Sequence, residues 1–466
     1  MKNSKNLIAI GLAGFLLQSC NVTKSVQKEA NLNIGSIPST YIQTKDTTDY
    51  AVVSYQKFFG NDELKSIISK VIENNNDLQA STEVLAGSEA LLKSTKLNYL
   101  PDVNLQVSPS VQRLSKNSMM GGFAGDLVYQ DYNIAPSLSW EIDLWGKLKG
   151  QRKEAIALFL AEKETVRALK IELISQTATT YYNLLFLQSQ LKEIGSIKEL
   201  MTNSVSLLEN QYQYGDATSI AVKQAKDQVF EMDRVMNELK QNIKNQEIFL
   251  SSLQGLYPNS YDFKSDLKDY TFGFTQHSSL PLAQLQNRPD IKAVELQLQA
   301  ANERVGISKA AFYPTVSLSA QGGLNSITAG NLFQIPASLF GNLAGNLTQP
   351  LFNKRANKSN YEASVHQREA KIAQFKQKVI TGVGEVTDAF NNLEYLSKQK
   401  SVVNDKMNNL DQSIGDAQKL YQFGEITYLE VLAVQQIYLQ SKIAYLEVIH
   451  QDINAHIQAY KAIGGE

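Results

Sequence analysis

The chain has 466 residues, with 45 Lys and Arg against 46 Asp and Glu, a formal net charge of −1 and 43% hydrophobic residues. So even a balance provides no basic field for nucleic acid, and this apolar content excludes wholesale disorder. The length fits two or three ordinary domains or one long repetitive fold.

Lys2 and Lys5 precede an apolar run from Leu7 to Leu17. The run suits the core of a secretory signal and is too short to span a bilayer. Leu17-Gln18-Ser19-Cys20 follows, and Cys20 is the sole cysteine, so it has no partner for an internal disulfide. The segment resembles a bacterial lipobox, which implies removal of residues 1–19 and acylation of Cys20; the alternative is a plain secretory signal with an incidental cysteine. That covalent lipid is the one non-protein group expected, with no cofactor and no metal. No other stretch approaches about 18 continuous apolar residues, so any other membrane crossing requires a closed β-barrel.

Further along, the chain reads twice. Asn98-Tyr99-Leu100-Pro101 returns as Ala311-Phe312-Tyr313-Pro314, Leu144-Trp145-Gly146-Lys147 as Leu351-Phe352-Asn353-Lys354, and Tyr212-Gln213-Tyr214-Gly215-Asp216 as Tyr421-Gln422-Phe423-Gly424-Glu425. Three landmarks in one order and nearly constant offset indicate two halves of roughly 200 residues each. Each half predicts a helix ending at a proline, two strands, a very long helix, a glycine turn and a second long helix. Pro101 and Pro314 mark the changes from helix to strand, because proline removes a donor and disfavours helix before it.

Four segments alternate with period two. Val103, Leu105, Val107 and Val111 oppose Asn104, Gln106, Ser108, Ser110 and Gln112. Ile134, Leu138, Trp140, Ile142 and Leu144 oppose Ser137, Ser139, Glu141 and Asp143. Val316, Leu318, Ala320 and Leu324 oppose Thr315, Ser317, Ser319, Gln321 and Asn325, and Leu339, Leu343 and Leu347 oppose Asn342, Asn346 and Thr348. This is the pattern of membrane-barrel strands around a polar lumen, with a soluble sandwich as the alternative. Trp140, Trp145, Tyr313 and Phe352 lie near strand ends, where an aromatic girdle belongs. Four strands cannot close a barrel, and open edges in lipid leave backbone groups unpaired. Copies of the chain must therefore share one barrel; two give eight strands and three give twelve, and the count alone does not choose.

Lys147 to Tyr214 is free of proline, and Ile171, Ile174, Ala178, Tyr181 and Leu185 step by three and four as a coiled-coil seam. At 1.5 Å per residue this helix is roughly 100 Å long, and Lys354 to Phe423 is its counterpart. Polar outer faces fit staves of a tube that is wet on both sides. Asp216 to Leu253 and Glu425 to Ile463 return antiparallel. Gly215 and Gly424 suit the left-handed residue that ends a helix, and Thr218 and Thr427 suit caps for the next. Pro258 and Pro281 break up the stretch from Tyr257 to Asn287, which with Asn31 to Gly60 suits a small mixed belt. The expected divisions are a lipoprotein signal (1–19), an N-terminal anchor and equatorial segment (20–60), a first repeat (61–256), an equatorial linker (257–287) and a second repeat (288–466).

In this order, the residues resemble the outer-membrane efflux protein family, the TolC-like channels, and its lipoprotein branch among resistance-nodulation-division outer membrane factors (NodT-type). The match rests on Leu64, Ile67 and Ile68 before Asn76-Asp77-Leu78; on Asn287-Arg288-Pro289-Asp290-Ile291 with Val305-Gly306; on the two tyrosine-glycine turns, the second followed by Thr427, Leu429 and Leu432; and on Tyr460-Lys461-Ala462-Ile463-Gly464-Gly465. The resemblance implies an α+β membrane protein: a homotrimer with a twelve-stranded β-barrel, a long α-helical barrel and an equatorial belt, lipid-anchored in the bacterial outer membrane with its helices in the periplasm. It further implies passive conduction of drugs and toxic compounds to the exterior, taken from an inner-membrane pump through a periplasmic adaptor.

In that family the closure follows the second glycine turn, where acidic residues ring the pore. By position, Glu430 falls on the first acidic site, and a threefold ring of it would favour cations. Ala433 stands at the next acidic site, Ala221 at the first-repeat equivalent, and Ile426 replaces the basic residue that often ties the tip. The gate set is thus Glu430, Leu429, Leu432 and Tyr421, with Gly215, Asp216, Gly424 and Glu425 as adaptor-docking tips. Glu430 also reads as an ordinary solvated residue, and the glycines as simple helix ends.

An enzyme is not expected. His277, His366, His450 and His456 lack metal-ligand spacing, no phosphate loop follows a strand, and Glu141 with Asp143 reads as wet lining. The competing functions are a type I protein-secretion channel and a lipid-anchored coiled-coil stalk.

Overall fold

The computed structural model describes residues 54–117, 119, 122, 128–273, 285 and 288–465. Cys20, the leader 1–19, nearly all of segment 20–60 and part of linker 257–287 lie outside the described residues.

The helices and strands run in the order α1 (Tyr55–Phe58), α2 (Asp62–Asn74), α3 (Asn76–Leu97), β1 (Asp102–Arg113), β2 (Val128–Ile142), α4 (Lys147–Tyr214), α5 (Ser219–Leu253), α6 (Pro289–Ala310), β3 (Thr315–Ser326), β4 (Leu339–Thr348), α7 (Ala356–Gln422) and α8 (Tyr428–Ala462). α4 and α7 have 68 and 67 residues, and α5 and α8 have 35 each. No helix among the described residues is long and apolar enough to cross a membrane. The chain divides into two compact units, one built of Leu85–Glu162 and Val294–Phe375, the other of Lys163–Ala293, Lys376–Glu466 and the described part of Gly35–Val84.

The first unit holds one antiparallel sheet in the order β1-β2-β3-β4. The alternation in sequence sets its register: Val103 pairs with Leu138, Leu138 with Ala320 and Ala320 with Leu343, so apolar side chains share one face. That face is bare on the outer strands, where Val103, Leu105, Leu343 and Leu347 are 66–72% exposed. The other face carries the row Asn104, Ser137, Gln321 and Asn342. β1 and β4 each pair on one side only. All four ends that lead to helices lie at one end of the sheet, as Asp102 faces Ser139, Ile142 faces Val316 and Thr315 faces Thr348.

β2 begins at Val128, six residues before the alternation becomes clean at Ile134. Its early part, Tyr129-Gln130-Asp131-Tyr132-Asn133, is polar yet pairs with β1 throughout. Trp145 stacks on Tyr313 with ring centroids 4.9 Å apart and donates to the Pro314 carbonyl at 2.7 Å. Trp140 donates to the Tyr99 carbonyl at 2.9 Å. Three of the four expected girdle aromatics thus also tie strand ends to neighbouring segments. Asp143 accepts from the backbone N–H groups of Leu148 and Lys149 at 3.1 and 2.9 Å, and Glu141 pairs with Lys147 at 3.0 Å. These two acids anchor the start of α4, where free donors and the helix dipole favour carboxylates.

α7 begins at Ala356, not Lys354, because Lys354 and Arg355 have φ of 53° and 68°. They are the only non-glycine residues with positive φ among those described. That conformation costs roughly 1–2 kcal/mol per L-residue.

The second unit contains the main core. Ile174, Ala178, Tyr181 and Leu185 of the α4 seam are buried there with Leu250, Leu393, Ile453, Ile457 and Tyr460. Phe58 lies 4.7 Å from Tyr460 and 4.9 Å from Phe59, and Phe59 forms a β-bridge with Phe272. The expected belt is represented among the described residues by this one bridge and its aromatic neighbours. A buried polar group fastens the start of α6. Arg288 bonds Asp290 at 2.9 Å, Glu385 of α7 at 2.5 Å and the Ala462 carbonyl of α8 at 3.2 Å. Burial alone would raise the Asp290 carboxyl, but its bonds to Arg288 and Lys378 hold it well below the usual carboxylate range.

Candidate gate and docking tips

Both hairpin turns of the second unit are built from the same local chemistry. Gly215 and Gly424 have φ of 87° and 74°, and a Cβ at either would meet nothing within 4 Å. Backbone handedness, not space, therefore requires glycine. Gly215 N–H donates to the Tyr212 carbonyl and Asp216 N–H to that of Gln211; Gly424 and Glu425 donate likewise to Tyr421 and Leu420. Each turn is a complete Schellman closure that satisfies the last carbonyls of α4 and α7. Asp216 and Glu425 are exposed at the tips, as are Tyr214 and Phe423.

The helices that follow start differently. At α5, the Thr218 hydroxyl accepts from Ala221 N–H at 3.2 Å. At α8, Glu430 accepts from the backbone N–H and the hydroxyl of Thr427 at 2.7 and 2.9 Å. The Thr427 backbone bond, then the hydroxyl bond, lowers the Glu430 carboxyl below the usual glutamate range, so it is ionised at neutral pH. Glu430 is thus the capping acid of a Thr-x-x-Glu box and an exposed negative charge at once. The box spacing is legible in the sequence.

The other gate candidates separate. Leu432 packs with Val205, Leu208, Ala225, Tyr428 and Val431, as do Ile426 and Tyr421. Leu429 stays largely exposed. Tyr421 donates to Gln211 at 2.5 Å, and its ring meets Tyr428 edge-on at 5.9 Å. The tie between α4 and α7 at the tip is therefore this hydrogen bond over an apolar cluster. Gln211 was not among the expected residues; its signal is a polar residue four positions before the turn glycine. Lys226–Glu209 at 2.6 Å and Lys198–Asp233 at 2.5 Å, also absent from the expectations, brace α4 against α5.

This arrangement has no nucleophile–base pair. Among the described residues, no three His, Cys, Asp or Glu side chains gather to hold a metal. What it offers is exposed backbone and aromatic side chains at two tips, one ionised ring candidate and an apolar clasp.

Residues 67–256 and 280–465 match the model of the family described as outer membrane efflux protein. The chain is similar to the solvent efflux pump outer membrane protein SrpC of Pseudomonas putida, 26% identical over 419 residues, covering 89% of this chain and 88% of the relative. It is similar to the probable outer membrane lipoprotein SilC of Salmonella typhimurium, 24% identical over 457 residues, with 97% and 96% covered. Its fold is like that of the solved CmeC outer membrane channel of Campylobacter jejuni, at TM-score 0.82 and 22% identity over 93% of this chain and 92% of that one. The chain belongs to the outer membrane efflux protein family: it is an outer-membrane channel protein, not an enzyme.

Proposed function

We propose that three identical copies form one duct of a tripartite efflux system, with twelve strands closing a barrel in the outer membrane and the long helices completing a periplasmic tube. The observation that carries this reading is the four-stranded sheet, with two unpaired edges and an exposed apolar face. Alone it would leave two rows of backbone groups unsatisfied in lipid; joined to copies it has no edge. The doubled element order, with helices of 68 and 67 residues and returns of 35 each, supports a duplicated chain contributing two staves per copy.

The tips at Gly215-Asp216 and Gly424-Glu425 dock a periplasmic adaptor, which joins the duct to an inner-membrane pump, expected to be of the resistance-nodulation-division type. Glu430 rings the closure, and Leu432 and Tyr421 hold it through the apolar clasp. Acylation of Cys20 anchors the N-terminus, a reading supported by the lipobox and by the name of the Salmonella relative. The cargo is small apolar or toxic molecules, in keeping with the solvent efflux named for the Pseudomonas relative. No cofactor or metal takes part. Reconstitution in planar bilayers tests the duct: discrete ion-conducting steps are expected, and a protein that inserts but never conducts would contradict it.

A further inference from the structure

We infer that the four strand–helix junctions form a belt that binds anionic phospholipid headgroups, with the turn from Leu351 to Arg355 as its main contact. This rests on the reading of the sheet as membrane-spanning. The junctions all lie at one end of the sheet, and each pairs exposed apolar groups with cations. Leu97 and Leu100 stand beside Lys96, Leu144 beside Lys149 and Arg152, and Phe312 beside Lys309. In the fourth, Leu351 and Phe352 are 95% and 86% exposed and lead directly into the exposed Lys354 and Arg355. The fourth junction, residues 349–355, holds two cations and no acid, whereas residues 327–338, in the β3–β4 loop at the far end, carry no charged side chain. Arg113 and Lys116 stand at the far end of the β1–β2 hairpin, so the contrast between a charged helix-bearing end and a neutral far end belongs to the β3–β4 hairpin.

The fourth turn is the most committed. Leu351 continues the four-residue spacing of Leu339, Leu343 and Leu347, the bare row of β4. The matching first-repeat turn uses glycine at its left-handed position, Gly146 with φ of 77°, but here Lys354 and Arg355 occupy that conformation. A strained turn that keeps two cations instead of glycine implies a use for their charge. Apolar side chains at the edge of the hydrocarbon and cations at phosphate level match the two layers of a leaflet boundary. Glu362 lies 3.0 Å from Arg355 and competes for it.

The test measures thermal stability of the full-length assembly in phosphatidylcholine vesicles with and without phosphatidylglycerol. The wild type is expected to gain several degrees from phosphatidylglycerol, and K354Q/R355Q to lose at least half of that gain. Lys354→Gly should keep or raise stability in pure phosphatidylcholine, since it relieves the turn, and still lose part of the gain. Glu362→Gln should enlarge it. Equal stability in both vesicles, an unchanged gain in K354Q/R355Q, or the same gain from inorganic phosphate in detergent would overturn the belt. Failure to insert into either vesicle would instead refute the membrane-spanning sheet.

Discussion

In the sheet, Val103, Leu105, Leu343 and Leu347 stand open, while in the helical core Ile174, Ala178, Tyr181 and Tyr460 are completely covered. The same kind of side chain is thus treated in opposite ways within one chain. The core covers its own apolar side chains: its seam residues meet partners from α2, α7 and α8, and the buried Arg288 bonds Glu385 and the Ala462 carbonyl. The sheet does not, because among the described residues the apolar side chains of its outer strands are exposed and no strand pairs beyond β1 or β4. Its stability must come from lipid on the face and from copies at the edges.

An arginine placed on the bare face should break this contrast most severely. Leu343→Arg lies in mid-strand and is expected to cost about 2–4 kcal/mol in each copy at the bilayer centre, abolishing assembled protein in the outer-membrane fraction. Asn342→Arg, one residue away on the polar face, should assemble normally. Equal behaviour of the two would mean that the faces are wrongly assigned.

Within the core, Tyr460→Ala empties a fully buried site between Phe58 and Phe59. The expected loss is about 3–5 kcal/mol, read as a lower urea midpoint for the helical signal. Acid should weaken the same region by a different route, the charging of a buried imidazole. His450 stacks on Phe186 at 4.4 Å, and burial pushes it down to about 4. Its neutral form is the one folded, so the stability it contributes is complete above the unfolded value near 6.5 and is lost as pH falls toward 4. A loss of up to about 3 kcal/mol is expected across that window, and His450→Gln should flatten the slope measured by unfolding at several pH values.

The smallest effect belongs to the tip. Glu430→Gln removes the ionised group but retains an acceptor for Thr427 N–H. Stability should hardly change, while the reversal potential across a salt gradient should move toward zero. An unchanged potential would take Glu430 out of the closure and leave it as a helix cap.

Much of the fold is legible in the residues because it is periodic. The limits of α4 follow from Lys147 and Tyr214, the strands from their alternation and the turns from Gly215 and Gly424. The start of β2 is not, because Gln130, Asp131 and Asn133 obscure its alternation. The start of α7 is not, because nothing in Lys354-Arg355 announces a left-handed turn. The Arg288–Glu385 and Tyr270–Asp452 bonds join residues 97 and 182 positions apart, beyond any local pattern. At the tip, the sequence points to Glu430 and Tyr421, but only packing reveals that Tyr421 is tied to Gln211 and that Leu429 stands apart from the clasp.

The claim that the sheet is completed by sister copies is tested most directly by the mass of the protein extracted from membranes in mild detergent, with the detergent contribution subtracted. Three times the mass of one mature chain, with cross-links between cysteines on β1 and β4 that build a ladder ending at three, is the result expected. A single chain, or a ladder that continues past three, would contradict the closed twelve-stranded barrel.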